Sequence, residues 1–293
     1  MRPWVVAVLG LALALDIRGQ SSACDYLPEA LDCRTRWLDH AAVIGANVLV
    51  GAVTAGVWQQ LRGGSFTAGF ARGALGGFVV YGGKQVAAIR MDGAGLVGRE
   101  LAAVGSSMVR NAADGTPMLG RLTLPAGPLP LRVERRASGW RLRLDGQALW
   151  WAGVAISTGD LALDLRRSWA DGAMVWVADS AWFDAGTRST PALAAPWAIF
   201  ANRGALDATG GPAVRAHERL HVIQADQFAL IISDPIDEWV GHQVPVLGRV
   251  GRWVALGLGV AAFAYPQTVM QRSLGYEYLP WEVESMVLAG DLR

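Results

Sequence analysis

Residues 212–228 read PAVRAHERLHVIQADQF. Pro212 suits the first turn of a helix, because the N–H that proline lacks is one the helix would leave unpaired. Along that helix His217 and His221 stand four residues apart, so both imidazoles leave one face a turn apart and can reach a single ion. Glu218 lies about 100° further round. From there it can face a water held by the metal without ligating the metal, which is the place of a general base. Leu220, Val222, Ile223 and Phe228 supply apolar backing. Composition alone would place this His-Glu-x-x-His pattern roughly 0.0015 times in such a chain. The bland alternative is a surface helix whose His and Glu merely face water. Against it, the pattern takes two of the 4 histidines in the chain.

A catalytic zinc needs a third protein ligand. The sixth residue after His221, which some zinc proteases use, is Gln227, and no Gly intervenes. His242 falls in a Gly/Pro-flanked loop and His40 lies far upstream, so both read as structural. Downstream, residues 276–285 read YEYLPWEVES, a Pro-started helix with Glu282 and Glu284 near its N-terminus. A carboxylate from a second helix would complete a His/His/Glu site. The bland alternative for the two acids is ordinary charge at a helix N-terminus. Tyr276 and Tyr278 are candidates to stabilise an oxyanion, though the spacing does not demand it.

At this point the chain resembles the gluzincin class of zinc metallopeptidases. The nearest likeness is to small exported or injection-system-associated domains whose His-Glu-x-x-His helix continues Val-x-Gln, here Val222, Ile223 and Gln224. The resemblance covers about 212–290. It implies a Zn2+ ion held by His217, His221 and Glu282, with Glu284 as the fallback third ligand. It also implies Glu218 as base and hydrolysis of a peptide or protein substrate by zinc-activated water. In that pattern an Asp four residues after the ligand Glu orients a ligand His. Here Met286 occupies the position and Ser285 replaces an Ala. The departure leaves open what holds the histidines in place.

Upstream the chain changes character. Residues 41–58 are uncharged and apolar, and at 1.5 Å per residue they nearly cross a bilayer core. After a polar break, residues 65–83 carry Gly69, Gly73 and Gly77 every four residues. On a helix these glycines share one face and admit a second backbone at close range. The pattern looks like the glycine-zipper stretches of large secreted toxins. Residues 41–83 therefore read as a helical hairpin in or on a membrane, or as two glycine-packed helices inside a soluble core. Residues 95–111 read as one more helix.

From 119 to 180 the period falls to two. Trp140, Leu142 and Leu144 alternate with Arg141, Arg143 and Asp145, and Leu161, Leu163 and Leu165 alternate with Ala162, Asp164 and Arg166. Ala148–Ile156 and Met174–Ala178 are apolar, β-prone runs. The expectation is an antiparallel meander with one wet face, its arginines in solvent. Trp197–Ala201 is a further strand candidate. Residues 253–265 read as a buried or re-entrant helix that could set the site against a bilayer.

The whole gives an α+β protein in four segments: a signal peptide at 1–23, a Gly-rich helical region and candidate for membrane association at 24–112, a β meander at 113–202, and a metallopeptidase-like helical region at 203–293. Arg2 followed by an apolar run from Trp4 to Leu15 and small residues to Ala23 fits a signal peptide for export to the periplasm or cell envelope, with an uncleaved anchor as the alternative. Cys24 and Cys33 then suggest a small disulfide loop, with lipidation of Cys24 as the rival. A 52% hydrophobic and 17% charged composition is rich for a soluble domain and points to segments that meet lipid or a partner, with 41–83 and 253–265 as the candidates for membrane association. A net charge of +1 leaves no electrostatic case for nucleic acid. The alternative to a peptidase is a non-catalytic membrane-interacting or toxin-like protein with a structural zinc helix.

Overall fold

The computed structural model describes residues 33–179, 192–258 and 280–290. Residues 1–23, read above as a signal peptide, Cys24 with its proposed disulfide, Tyr276 and Tyr278 lie outside these residues. Three helices come first: α1 (Cys33–Leu61), α2 (Phe66–Ala88) and α3 (Ala94–Ala113). Ser65 starts α2, its hydroxyl accepting the Ala68 N–H at 3.3 Å. Glycine then sets the packing. A Cβ on Gly73 would sit 2.2 Å from the Gly51 carbonyl oxygen of α1, and one on Gly83 would sit 2.4 Å from the Ala102 nitrogen of α3. So α2 is wedged between its neighbours at distances only bare backbone allows. The far face of α1 carries exposed Leu49, Val50, Val53, Val57 and Leu61. Among the described residues, Asp39–Leu61 is the one helix long and apolar enough to cross a membrane by length and composition.

Two four-stranded sheets follow. In the first, β1 (Leu122–Ala126), β2 (Leu129–Arg136) and β3 (Gly139–Asp145) form an antiparallel meander, and β8 (Val254–Ala255) joins β3 in parallel. In the second, β4 (Ala162–Leu163), β5 (Met174–Ala178), β7 (Ala198–Asn202) and β6 (Ala192–Ala195) stand in that order, with β5 and β7 parallel. The class is α+β with an N-terminal helical region, as expected. The meander itself stops at β3.

Ala148–Ile156 is not a strand. It lies within α4 (Gly146–Thr158), because Asp145 caps a helix instead of starting a hairpin turn: its carboxylate accepts the Ala148 N–H at 2.9 Å. Leu161–Arg166 likewise yields only the two-residue β4. Asp164 accepts the Arg167 N–H at 3.0 Å and opens α5 (Leu165–Asp171). Val254 and Ala255, expected within a helix, pair as β8, and residues from 259 onward to 279 lie outside the described set.

The alternation along β3 is as expected, but the sides are exchanged. Trp140, Leu142 and Leu144 are 68%, 60% and 40% exposed, whereas Arg132 and Arg143 are buried. The inward arginines meet acids. Arg143 donates to Glu134 at 2.8 Å, and Arg132 donates to Asp145 at 2.6 Å and Asp234 at 3.2 Å. An inward charge is tolerated only when paired in this way.

The remaining described helices are α6 (Arg203–Asp207), α7 (Gly211–Phe228), α8 (Asp234–Gln243), α9 (Pro245–Val250) and α10 (Pro280–Ala289), with one π turn at Ala229–Ser233. The helix α7 runs between the two halves of the core. Ala216, Leu220 and Ile223 pack with Val43, Val80 and Tyr81 of the N-terminal helices and with Val287 and Leu288 of α10. Val222 packs on the second sheet against Val175, Val177 and Ile199. Burying side chains the size of Leu220 and Ile223 contributes about 2 kcal/mol each.

Candidate metal centre

Local sequence fixes where α7 begins. At Gly211 a Cβ would lie 2.0 Å from the Leu206 carbonyl oxygen, so the turn closes only on glycine, and Pro212 follows in the first helical turn. Two buried ion pairs fix its rotation. Arg219 donates through Nε to Asp171 at 2.6 Å and through Nη1 to the Ile89 carbonyl at 3.1 Å. Asp226 accepts from Arg99 of α3 at 2.5 Å, and the Arg99 guanidinium stacks over Trp197 at 3.9 Å from the ring centroid.

With that rotation set, His217 and His221 emerge side by side. Their Nε2 atoms are 3.0 Å apart. Glu282, in the first turn of α10, places Oε2 at 3.3 Å from His217 Nε2 and 3.2 Å from His221 Nε2. Among the described residues this is the one group in which three potential ligand atoms lie within 4.8 Å of one another. Two ring nitrogens pointed at each other at such range need a proton or a cation between them. Tetrahedral zinc, with bonds of about 2.0–2.1 Å, holds its ligand atoms about 3.3 Å apart. The observed triangle and its N, N, O donor set fit that ion.

Glu218 is 7% exposed and accepts a hydrogen bond from the Ala194 backbone N–H of β6. Burial pushes its carboxyl above the usual carboxylate range. His221 and His217 pull the other way, Glu282 adds to the rise, and the Ala194 N–H opposes it.

Glu284 does not join the triangle. Two residues beyond Glu282 it points about 200° round the helix, toward the N-terminal layer. Its Oε1 accepts from Asn47 Nδ2 at 2.5 Å and Lys84 Nζ at 2.9 Å, and its Oε2 accepts from Lys84 Nζ at 2.9 Å and Gln224 Nε2 at 2.8 Å. His242 sits exposed near the end of α8, and His40 Nδ1 lies 3.4 Å from Gln85 Nε2; neither belongs to the group.

Sequence reasoning missed what steadies His221. Where the resemblance calls for an Asp at position 286, Gln224 supplies the acceptor instead, its Oε1 2.8 Å from His221 Nδ1. It also missed Asn47 and Lys84. A signal for Lys84 was available in the composition: of 26 Lys and Arg residues, it is the sole lysine.

No protein-family model matches the sequence, and searches of curated proteins and of solved structures find no match.

Proposed function

We propose that this chain is a zinc-dependent peptidase of gluzincin type, with His217, His221 and Glu282 as ligands and Glu218 as general base. The observation that carries this reading is the triangle of 3.0, 3.2 and 3.3 Å between the three ligand atoms. Zinc, when bound, supplies Lewis acidity and a water acidified toward neutral pH. Glu218 accepts the proton of the attacking water and passes it to the departing amide nitrogen. Its buried position strengthens proton affinity, as that double duty requires. Beside it, β6 is one of the two edge strands of the second sheet among the described residues. A strand edge next to the base suits an extended peptide backbone, aligned by main-chain hydrogen bonds.

The test is zinc content and peptide-library cleavage by the purified protein and by Glu218→Gln. The variant should hold zinc and fold normally while losing 10²-fold or more of turnover, on the order of a general base's contribution. Unchanged cleavage by that variant would exclude the mechanism.

A second reading is favoured by the exposed apolar face of α1. There the zinc helix only holds the fold, and membrane contact is the function. The export signal at 1–23 and the apolar stretches at 41–83 and 253–265 fit a periplasmic or cell-envelope setting for either reading. Unfolding on zinc removal together with no hydrolysis of any library peptide would favour the second.

A further inference from the structure

The metal reading leaves unexplained a charged group deep in the apolar helical layer. Lys84 is 2% exposed, sits beside Gly82 and Gly83 on α2, and is the chain's single lysine among 25 arginines. Among the described residues, its ammonium meets Asn47 Oδ1 at 2.9 Å and both oxygens of Glu284. A buried ion pair of this kind is poor evidence for stability, because well-packed apolar residues often do as well. Its direction is more informative.

Each hydrogen bond along the route has a forced polarity. Lys84 can only donate, so Asn47 turns its oxygen to it and its amide NH2 to Glu284 and to the Val43 carbonyl at 3.0 Å. Glu284 and the Trp281 carbonyl, 3.0 Å from Gln224 Nε2, can only accept. Gln224 must therefore present its NH2 to them and its oxygen to His221 Nδ1. An amide oxygen accepts only, so His221 must carry its proton on Nδ1. The Nε2 lone pair then faces His217 and Glu282. The other neighbour of Nδ1, the Ser285 hydroxyl at 3.4 Å, can donate or accept and so imposes no choice.

We propose that Lys84, Glu284 and Gln224 are positioning residues of the metal centre, a relay from the glycine-packed hairpin that holds His221 in its Nδ1–H tautomer with Nε2 ready to ligate. This rests on the zinc-site reading for its purpose, but the tautomer stands or falls separately. Lysine suits the relay's end better than arginine, since a compact ammonium can serve one amide oxygen and both carboxylate oxygens at once.

The test uses the full chain, Lys84→Met, Gln224→Met and the double variant, with far-UV circular dichroism as the folding control. Long-range ¹⁵N–¹H correlation spectra of the metal-free protein report the ring tautomers, and chelator competition reports zinc affinity. The wild type should show His221 as Nδ1–H, and Gln224→Met a mixture of both tautomers. Each single variant should bind zinc 10–100-fold more weakly. The double variant should be no weaker than Gln224→Met alone, as members of one relay require. A single Nδ1–H tautomer in Gln224→Met, wild-type affinity in the single variants, or additive losses in the double would overturn the relay. If Lys84→Met does not fold, the Gln224→Met spectrum decides. Were the wild type itself to bind no zinc, the metal reading would fall while the spectrum still judged the relay.

Discussion

Gly77 and Asn47 meet backbone to backbone: a Cβ on Gly77 would lie 2.2 Å from the Asn47 carbonyl oxygen. The same Asn47 carries an amide that binds Glu284, two residues from the proposed ligand Glu282. The spacing of α1 and α2 is thus mechanically joined to the proposed metal centre.

Gly77→Ala should force the two helices apart and cost about 2–4 kcal/mol, in the range of severe core overpacking. Gly45→Ala is the control, since nothing lies within 4 Å of its added Cβ and it stands in the interior of α1. It should stabilise by about 0.5–1 kcal/mol. Urea denaturation measures both. Equal effects would mean that the glycine seam does not set the helix spacing.

Glu282 and Glu284 should separate cleanly in a metal-binding assay. Glu282→Ala removes a ligand atom and should abolish stoichiometric zinc at micromolar concentrations. Glu284→Ala removes a shared partner of Asn47, Lys84 and Gln224 but no ligand atom, and should weaken zinc by about 10–100-fold. Retention of full zinc affinity by Glu282→Ala would remove that residue from the ligand set.

Glu134 predicts an acid limb of stability. Burial raises its carboxyl, but Arg121, Arg143 and Arg136 outweigh burial and hold it at about 2. A carboxylate depressed in the fold stabilises above its ordinary pKa near 4.5 and loses that contribution as pH falls toward 2. Glu134→Gln should therefore lose about 3 kcal/mol at pH 7. The gap from wild type should close between pH 4.5 and 2 in denaturant titrations. A gap that is constant with pH would show that the arginines do not act through its charge.

A buried arginine gives the last expectation. Arg99→Leu leaves Asp226 without its partner and removes the stack on Trp197. Stranding a buried charge should cost about 3–5 kcal/mol. Arg99→Leu combined with Asp226→Leu should recover much of the loss. Thermal unfolding of the single and double variants distinguishes this from simple loss of packing, which the second substitution would not repair.

Parts of this were legible residue by residue. His217, Glu218 and His221 follow from helical spacing alone, and the Gly69, Gly73 and Gly77 stripe announces a close helix contact. Ala148–Ile156 was not legible, because a short apolar run without polar markers fits a strand and a buried helix equally well. Only the capping role of Asp145 separates them. Nor was the inward side of β3, since either alternating set is consistent with period two. The acids Glu134, Asp145 and Asp234, brought together from β2, β3 and α8, select the arginines for the interior.

The sequence by itself determined the local geometry of the α7 face, because helical spacing needs no information from outside the segment. Only the tertiary structure decided that Glu282 and not Glu284 meets the histidines, and that Gln224 and Lys84 stand behind them. Those choices depend on how α10 is turned against α1 and α2, and long-range packing of glycine, lysine and carboxylate fixes that rotation.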